Sequence, residues 1–266
     1  MPTVPSLGLG TSGNDDPTQC ASSVATALDA GYRHIDTAQM YDNEAAVGDG
    51  ITRSAVPREE IFLATKVHPS NLGFDDVHAS VEASLDRLGL DTIDLLYVHW
   101  PTSAYDPEWT LRAFDELYAA GTIDHVGVSN FTPTLIEGAV DILDAPILAN
   151  QVEVHPLLGP REPLFETCRD REIEIVAYAP FCRGDALDVP EIRAIAERHD
   201  SSPAQMCLAW LASHDVAAIP KATGRAHIEE NARATELTLT DEEIAQIDGI
   251  DRRYRRFDPD GAPWSE

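Results

Sequence analysis

Along this chain, short apolar runs alternate with longer stretches in which apolar positions recur every three or four residues. The runs at 34–37, 61–66, 93–99, 123–129, 148–152, 174–178 and 216–220 read as buried strands. Between them, Val77, Val81, Leu85 and Leu88 trace one face of a helix that stops at Gly89. Further helices are expected at 109–120, 133–143, 162–171, 190–199 and 203–213. Punctuation supports them. Asp16 before Pro17 opens a helix carrying Val24 and Leu28 and closed by Gly31, and Ser202 before Pro203 opens another. Asp42 or Asn43 would cap a helix with Glu44 in its first turn. Thr240 with Glu243 makes a capping box for the last one. A weaker eighth strand is expected at 235–237.

Strands alternating with helices predict parallel sheet. An open doubly wound sheet and a closed (β/α)8 TIM barrel both fit the alternation. Gly8-Leu-Gly10-Thr-Ser-Gly13 matches G-x-G-x-x-G literally, but Pro2 and Pro5 precede it and Asn14-Asp-Asp-Pro17 follows. A dinucleotide fingerprint must follow a strand and open a helix. Here a glycine-rich turn or a short N-terminal hairpin is the better reading, and without the fingerprint the barrel is favoured. With no linker or low-complexity tract, residues 1–266 read as one barrel domain of ordinary length.

Composition narrows the function classes. Hydrophobic residues make up 43% of the chain, enough for a sizeable core, and no run approaches the 18 apolar residues of a membrane span. The N-terminus lacks a basic start and an apolar h-region. Cys20, Cys168, Cys182 and Cys207 are scattered, so a reduced, cytoplasmic protein is expected. Forty-six acids face nineteen bases, for a net charge of −27 and a pI near 4.4. Such a surface repels nucleic acid and anionic membrane. It also suits a halophilic setting, where salt screens its self-repulsion. Seventeen of the bases are arginine; the lysines are Lys66 and Lys221.

Barrel chemistry gathers at the C-terminal ends of strands. Those ends carry Asp36, Lys66, His99, Ser129-Asn130, Gln151, Tyr178 and Lys221, so both lysines are among them. Tyr41, on the loop after Asp36, can donate a proton if a cation steadies the tyrosinate, and a buried Lys66 paired with Asp36 would lower its pKa. His99 would orient a carbonyl oxygen. Taken singly, Asp36 and Lys66 look like a structural ion pair, His99 a core histidine and Tyr41 a loop anchor. Their places at consecutive strand ends argue for a set. No H-E-x-x-H or G-x-S-x-G occurs, and no metal is expected.

Gly31-Tyr-Arg-His-Ile-Asp36-Thr-Ala38 with Glu44-Ala-Ala-Val-Gly48 resembles the N-terminal signature of the aldo-keto reductases. Leu96-Tyr-Val-His-Trp-Pro101, Val126-Gly-Val-Ser-Asn-Phe131, Asn150-Gln-Val-Glu-Val-His-Pro156, Ala177-Tyr-Ala-Pro180 and Ile219-Pro-Lys221 resemble its later motifs, in order. The likeness spans essentially the whole chain and is of the aldehyde reductase or 2,5-diketo-D-gluconate reductase type. It implies a (β/α)8 barrel that reduces an aldehyde or ketone with NAD(P)H. Tyr41 would be the general acid, Asp36 and Lys66 would tune it, and His99 would orient the substrate.

By the same resemblance Ser129, Asn130 and Gln151 hold the nicotinamide carboxamide and Tyr178 stacks on its ring. Gly10, Thr11 and Asp36 border the cofactor. Lys221, Ala222, Thr223 and His227 meet the adenosine phosphate, and Glu230 and Asn231 the adenine. Ser12 replaces a common tryptophan and opens the pocket, which Trp100 and Phe131 would also line. His227 stands where an arginine is common, and it cannot make arginine's fork to a phosphate. NADPH is therefore expected, with NADH tolerated, in a monomer acting on a small carbonyl compound. A nucleotide-binding redox sensor with little turnover is the alternative. Residues 252–256, Arg-Arg-Tyr-Arg-Arg, read as a surface patch paired with carboxylates, or else as a tail folding over the barrel mouth.

Overall fold

The computed structural model describes residues 3–160 and 162–264. Eight strands form one sheet in sequence order, each parallel to the next. They are β1 (Gly8–Gly10), β2 (His34–Asp36), β3 (Phe62–Val67), β4 (Ile93–Val98), β5 (Ile123–Ser129), β6 (Ile147–Glu153), β7 (Glu174–Tyr178) and β8 (Val216–Ala218). Parallel bridges Leu7 to Ala218 and Gly10 to Lys221 join the last strand to the first, with the Gly10 amide donating to the Pro220 carbonyl at 3.1 Å. The sheet closes into the (β/α)8 TIM barrel.

The first helices are α1 (Pro17–Asp29), α2 (Glu44–Arg53), α3 (Phe74–Leu88), α4 (Pro107–Ala119) and α5 (Pro133–Ile142). They are followed by α6 (Glu162–Asp170), α7 (Pro190–Arg198), α8 (Pro203–Ser213), α9 (Arg225–Ala232) and α10 (Asp241–Asp248). Asp16 and Thr240 cap α1 and α10, and Ser202 caps α8, each accepting a first-turn amide. Gly89 ends α3 in the left-handed region at φ 67°, where glycine bears no Cβ penalty. Asn43 stands at the N-cap of α2 but makes no side-chain cap bond. Its amide serves the loops at the barrel mouth instead.

The expected eighth strand is corrected. Residues 233–236 form a short 3-10 helix, and the missing strand is β1, in the glycine-rich segment assigned above to a turn or hairpin. Gly-Leu-Gly shows no apolar run, so no period reveals it. The glycines are there for contact: a Cβ on Gly10 would lie 2.6 Å from the Ile219 carbonyl oxygen. Outside the barrel, a Cβ on Gly48 would meet the Leu88 carbonyl oxygen at 2.1 Å, so α2 packs on α3 only with glycine there.

Alternation along the strands sends Ala64, Leu95, Tyr97, Ala149, Val176 and Ala217 into the barrel. The larger apolar cluster lies between the sheet and its helices and includes Val98, Phe114, Val128, Phe131 and Trp210. All four cysteines are buried. Among the described residues no helix is long and apolar enough to cross a membrane.

Buried at the start of β2, His34 is held down to about 4, chiefly by desolvation, which the Asp36 charge opposes. The unfolded chain takes a proton near pH 6.5 that the fold refuses. This contribution to stability is therefore complete above pH 6.5 and is lost as the pH falls towards 4. The gap corresponds to about 3 kcal/mol. Urea midpoints at pH 7.5 and pH 5 should differ less in His34→Asn than in the parent, and equal differences would refute the assignment.

Candidate active site

The inward period of the strands assembles the site. Lys66 follows Ala64 by two residues, His99 follows Tyr97, and Gln151 follows Ala149, so each keeps the inward direction at its strand's C-terminal end. Register places Asp36 beside Gly10 on one side and Ala64 on the other. Lys66, one inward step beyond Ala64, reaches back to it. Lys66 Nζ donates to Asp36 Oδ1 at 2.5 Å, to the Thr37 carbonyl at 2.8 Å and to the Tyr41 hydroxyl at 3.5 Å. Gln151 Nε2 donates to Asp36 Oδ2 at 2.7 Å. The His99 ring stands edge-on to Tyr41 with centroids 5.7 Å apart. Asp36, Tyr41, Lys66 and His99 are thus brought together.

Tyr41 comes from a loop, and the loop is held at several points. Gln39 Nε2 donates to the Ser80 carbonyl and to Ser84 Oγ, both at 3.1 Å, and Gln39 Oε1 accepts the His68 amide at 2.9 Å. Asn43 accepts from Thr37 Oγ1 and donates to the Thr11 carbonyl, each at 2.9 Å. Glu44, fully buried, accepts from Thr65 Oγ1 at 2.6 Å and from two Arg87 nitrogens at 2.9 and 2.6 Å. Gln39 and Asn43 went unassigned as site supports in the sequence. Their spacing inside the signature was the signal, but a polar loop residue shows its partner only after folding.

Charge in the site is ordered by burial. Desolvation draws the Lys66 ammonium down, but Asp36 and Tyr41 together more than offset it and the net direction is up, so Lys66 stays charged. Burial pushes the Tyr41 phenol up, Lys66 pulls it down and Asp36 pushes it up again. The net direction is upward. This corrects the expectation of a lowered phenol: Lys66 acts with the expected sign, but its charge is shared with Asp36 and burial outweighs it. Tyr41 therefore holds its proton at neutral pH. Burial, followed by the charges of Lys66 and His68, keeps His99 well below 6.5 and hence neutral. A neutral imidazole still has one N–H to donate.

Beside this set, β5, β6 and β7 end in an interlocked shelf. Ser129 Oγ donates to the Gln151 carbonyl at 2.9 Å, and Asn130 Nδ2 donates to the His99 carbonyl at 3.1 Å. The Tyr178 hydroxyl donates to Asn130 Oδ1 at 2.8 Å. Asn130 takes φ 64°, which breaks the strand alternation. Phe131 is turned outward by that break. It is 1% exposed and packs edge-on to Tyr105 in the layer under the helices, which corrects its placement in the pocket wall. Trp100 stays half-exposed and faces Trp264 at 5.6 Å, and Ser12 is exposed close to the Tyr41 hydroxyl.

Across the β8–β1 seam, Thr11 Oγ1 donates to the Asp36 carbonyl at 3.0 Å. Lys221 is exposed at the end of the eighth strand, followed by buried Ala222 and half-buried Thr223. Gly224 then opens α9 without a side-chain cap, leaving first-turn amides for an anion. Arg225 pairs with Glu229 at 3.1 Å, and His227 is exposed one turn from Lys221's loop. Glu230 is half-buried and Asn231 buried. A cation, free helix amides and an aromatic shelf are the donor set a phosphate-bearing nucleotide requires, so the residues fit one. The tail at 252–264 crosses the mouth, with Phe257 edge-on to Tyr178 at 5.5 Å, which decides between the two readings of the arginine segment in favour of the tail.

The aldo/keto reductase family model matches residues 6–252. Glyoxal reductase of Bacillus subtilis is 38% identical over 253 residues, 95% of this chain and 91% of that protein. An aldo-keto reductase from a Medee basin deep-sea metagenome library superposes with a TM-score of 0.92 at 34% identity, over 97% of this chain and 95% of that one. A Bombyx mori aldo-keto reductase solved in complex with NADP gives 0.89 at 32% identity, over 96% and 92%. With the barrel, the buried Asp36–Lys66 pair and the tyrosine above it in place, these likenesses have one meaning: the chain belongs to the aldo/keto reductase family.

Proposed function

We propose that this NAD(P)H-dependent oxidoreductase reduces a small aldehyde or ketone to the alcohol, with Tyr41 as the proton donor. The reading rests on one observation: a buried, charged Lys66 lies within hydrogen-bond reach of both Asp36 and the Tyr41 hydroxyl. A reduced nicotinamide held there would supply the hydride that the carbonyl carbon takes up. Tyr41 gives its proton to the carbonyl oxygen, and the C=O group becomes CH–OH. Lys66 stabilises the tyrosinate left behind, and Asp36 keeps Lys66 charged and aimed. Neutral His99 donates to the same oxygen and fixes the carbonyl's direction. Ser129, Asn130 and Gln151 would hold the carboxamide, Tyr178 the ring face, and Gly10 and Thr11 the edge near β1.

Lys221, Ala222, Thr223 and His227 would hold the adenosine phosphate, with Glu230 and Asn231 towards the adenine. His227 cannot replace an arginine fork, and Arg225 is shared with Glu229, so NADPH is used with NADH tolerated. Ser12 and Trp100 line the substrate side. The chain works as a cytoplasmic monomer adapted to high salt, its −27 charge screened there.

A panel of aldehydes, ketoacids and keto-sugars with each cofactor, at high and low salt, tests this reading. Oxidation of NADPH with at least one carbonyl, less than about a hundredfold over NADH, is expected, as is loss of the fold on dilution from salt. Cofactor binding with no turnover across the panel would favour the redox sensor. Equal stability at low salt would remove the salt adaptation.

A further inference from the structure

Glu153 closes β6 at the barrel mouth, wholly buried, and no step above uses it. Its carboxylate is committed to backbone far along the chain. Oε1 accepts the Arg256 amide at 2.6 Å and Oε2 accepts the Phe257 amide at 2.9 Å. Arg255 Nη1 stands 3.9 Å from Oε2, and His155 Nε2 lies 2.9 Å from Oε1. Nearby bonds continue the seam: the Tyr254 amide donates to the Leu157 carbonyl, and Arg253 Nη1 to the Pro156 carbonyl, both at 2.8 Å.

This seam decides where the tail's aromatic rings lie. Phe257 meets Tyr178 edge-on at 5.5 Å, with the Arg183 guanidinium 4.8 Å from its centroid. Arg255 lies 3.8 Å over Trp264, which in turn faces Trp100 at 5.6 Å. The tail therefore sets one ring against the end of β7 and another against the end of β4. Because a buried carboxylate needs its donors, the same two amides that satisfy Glu153 fix the tail's position.

We propose that Glu153 is a positioning residue for substrate specificity: by pinning the amides of Arg256 and Phe257 it holds residues 254–264 as one wall of the carbonyl pocket. Compact carbonyl compounds are favoured because that wall narrows the mouth. This rests on the reductase reading, since the wall is defined by the pocket over Tyr41.

The test uses the full chain with Glu153→Gln, which keeps the side chain's size but replaces one acceptor oxygen by an NH2 facing an N–H. Hydrogen exchange of the 254–257 amides should quicken while that of the barrel strands is unchanged. With NADPH, KM for glyceraldehyde should rise about tenfold, the ratio matching one charge-assisted hydrogen bond. The change in kcat should stay within about threefold. KM for a bulky aromatic aldehyde should hold or fall. Phe257→Ala, which leaves the anchor intact, should move the two KM values the same way, and it carries the test if Glu153→Gln does not fold.

A loosened tail with an unchanged ratio of the two KM values overturns the proposal, as does a fall in kcat at constant KM. Unchanged exchange at 254–257 overturns it too. Should the parent chain reduce no carbonyl at all, the reductase reading fails, while exchange still reports on the anchor by itself.

Discussion

Tyr41→Phe is expected to lower kcat for carbonyl reduction by about a thousandfold or more, within the range a positioned general acid contributes. Cofactor binding should change less than about twofold. The physical basis is that the substitution removes one hydroxyl and leaves the ring in its edge-on contact with His99. Lys66 retains Asp36 and the Thr37 carbonyl, so the buried cation is not stranded. Cofactor fluorescence titration and steady-state kinetics measure the two effects separately. Near-parental turnover in the variant would remove Tyr41 from the chemistry and return it to the role of loop anchor. The raised phenol sharpens the expectation, because the donor form persists well above neutral pH and the rate should not fall until the alkaline side.

Lys66→Met is expected to be as damaging to the fold as to the reaction. Asp36 is 1% exposed and, among the described residues, would keep only Gln151 as a side-chain hydrogen-bond partner. Removing one member of a buried ion pair costs about 3–5 kcal/mol, because the remaining charge is desolvated without compensation. In a chain of this size that lowers the melting temperature by about 10 °C. Asp36→Asn together with Lys66→Met should regain part of the loss, since two neutral groups replace an unpaired charge, yet reduction should stay absent. A double variant no more stable than the single one would show that the pair's attraction is not what Lys66→Met removes. A single variant as stable as the parent would show that Asp36 is readily neutralised.

Much of this was readable before folding, and the reasons are local. Strand ends could be read because apolar runs stop where polar residues begin, and a fixed period of two then sends Lys66, His99 and Gln151 to one side. Both lysines of an arginine-rich chain lay at such ends, which singled them out without any structure. The first strand escaped because Gly8–Gly10 has no apolar pattern, and Gly10 is there for a contact with Ile219, some two hundred positions away. Phe131 was misplaced because a left-handed Asn130 reverses the parity that alternation would give it. The sign of the Tyr41 shift was also out of reach, since it depends on the balance between burial and a cation already shared with Asp36.

By itself, the sequence determined the strand–helix alternation that favours a barrel, the candidate site residues and the family likeness, because period, capping and residue type act over a few neighbours. Only the tertiary structure decided which strand closes the barrel, in which direction the phenol shifts and where the tail lies. Each of these depends on groups distant in sequence meeting in a desolvated space. Asp36, Lys66 and Tyr41 could be named as a set from the linear order. That one carboxylate on β6 holds the amides of Arg256 and Phe257 could not, because nothing local to Glu153 records a partner more than a hundred residues away.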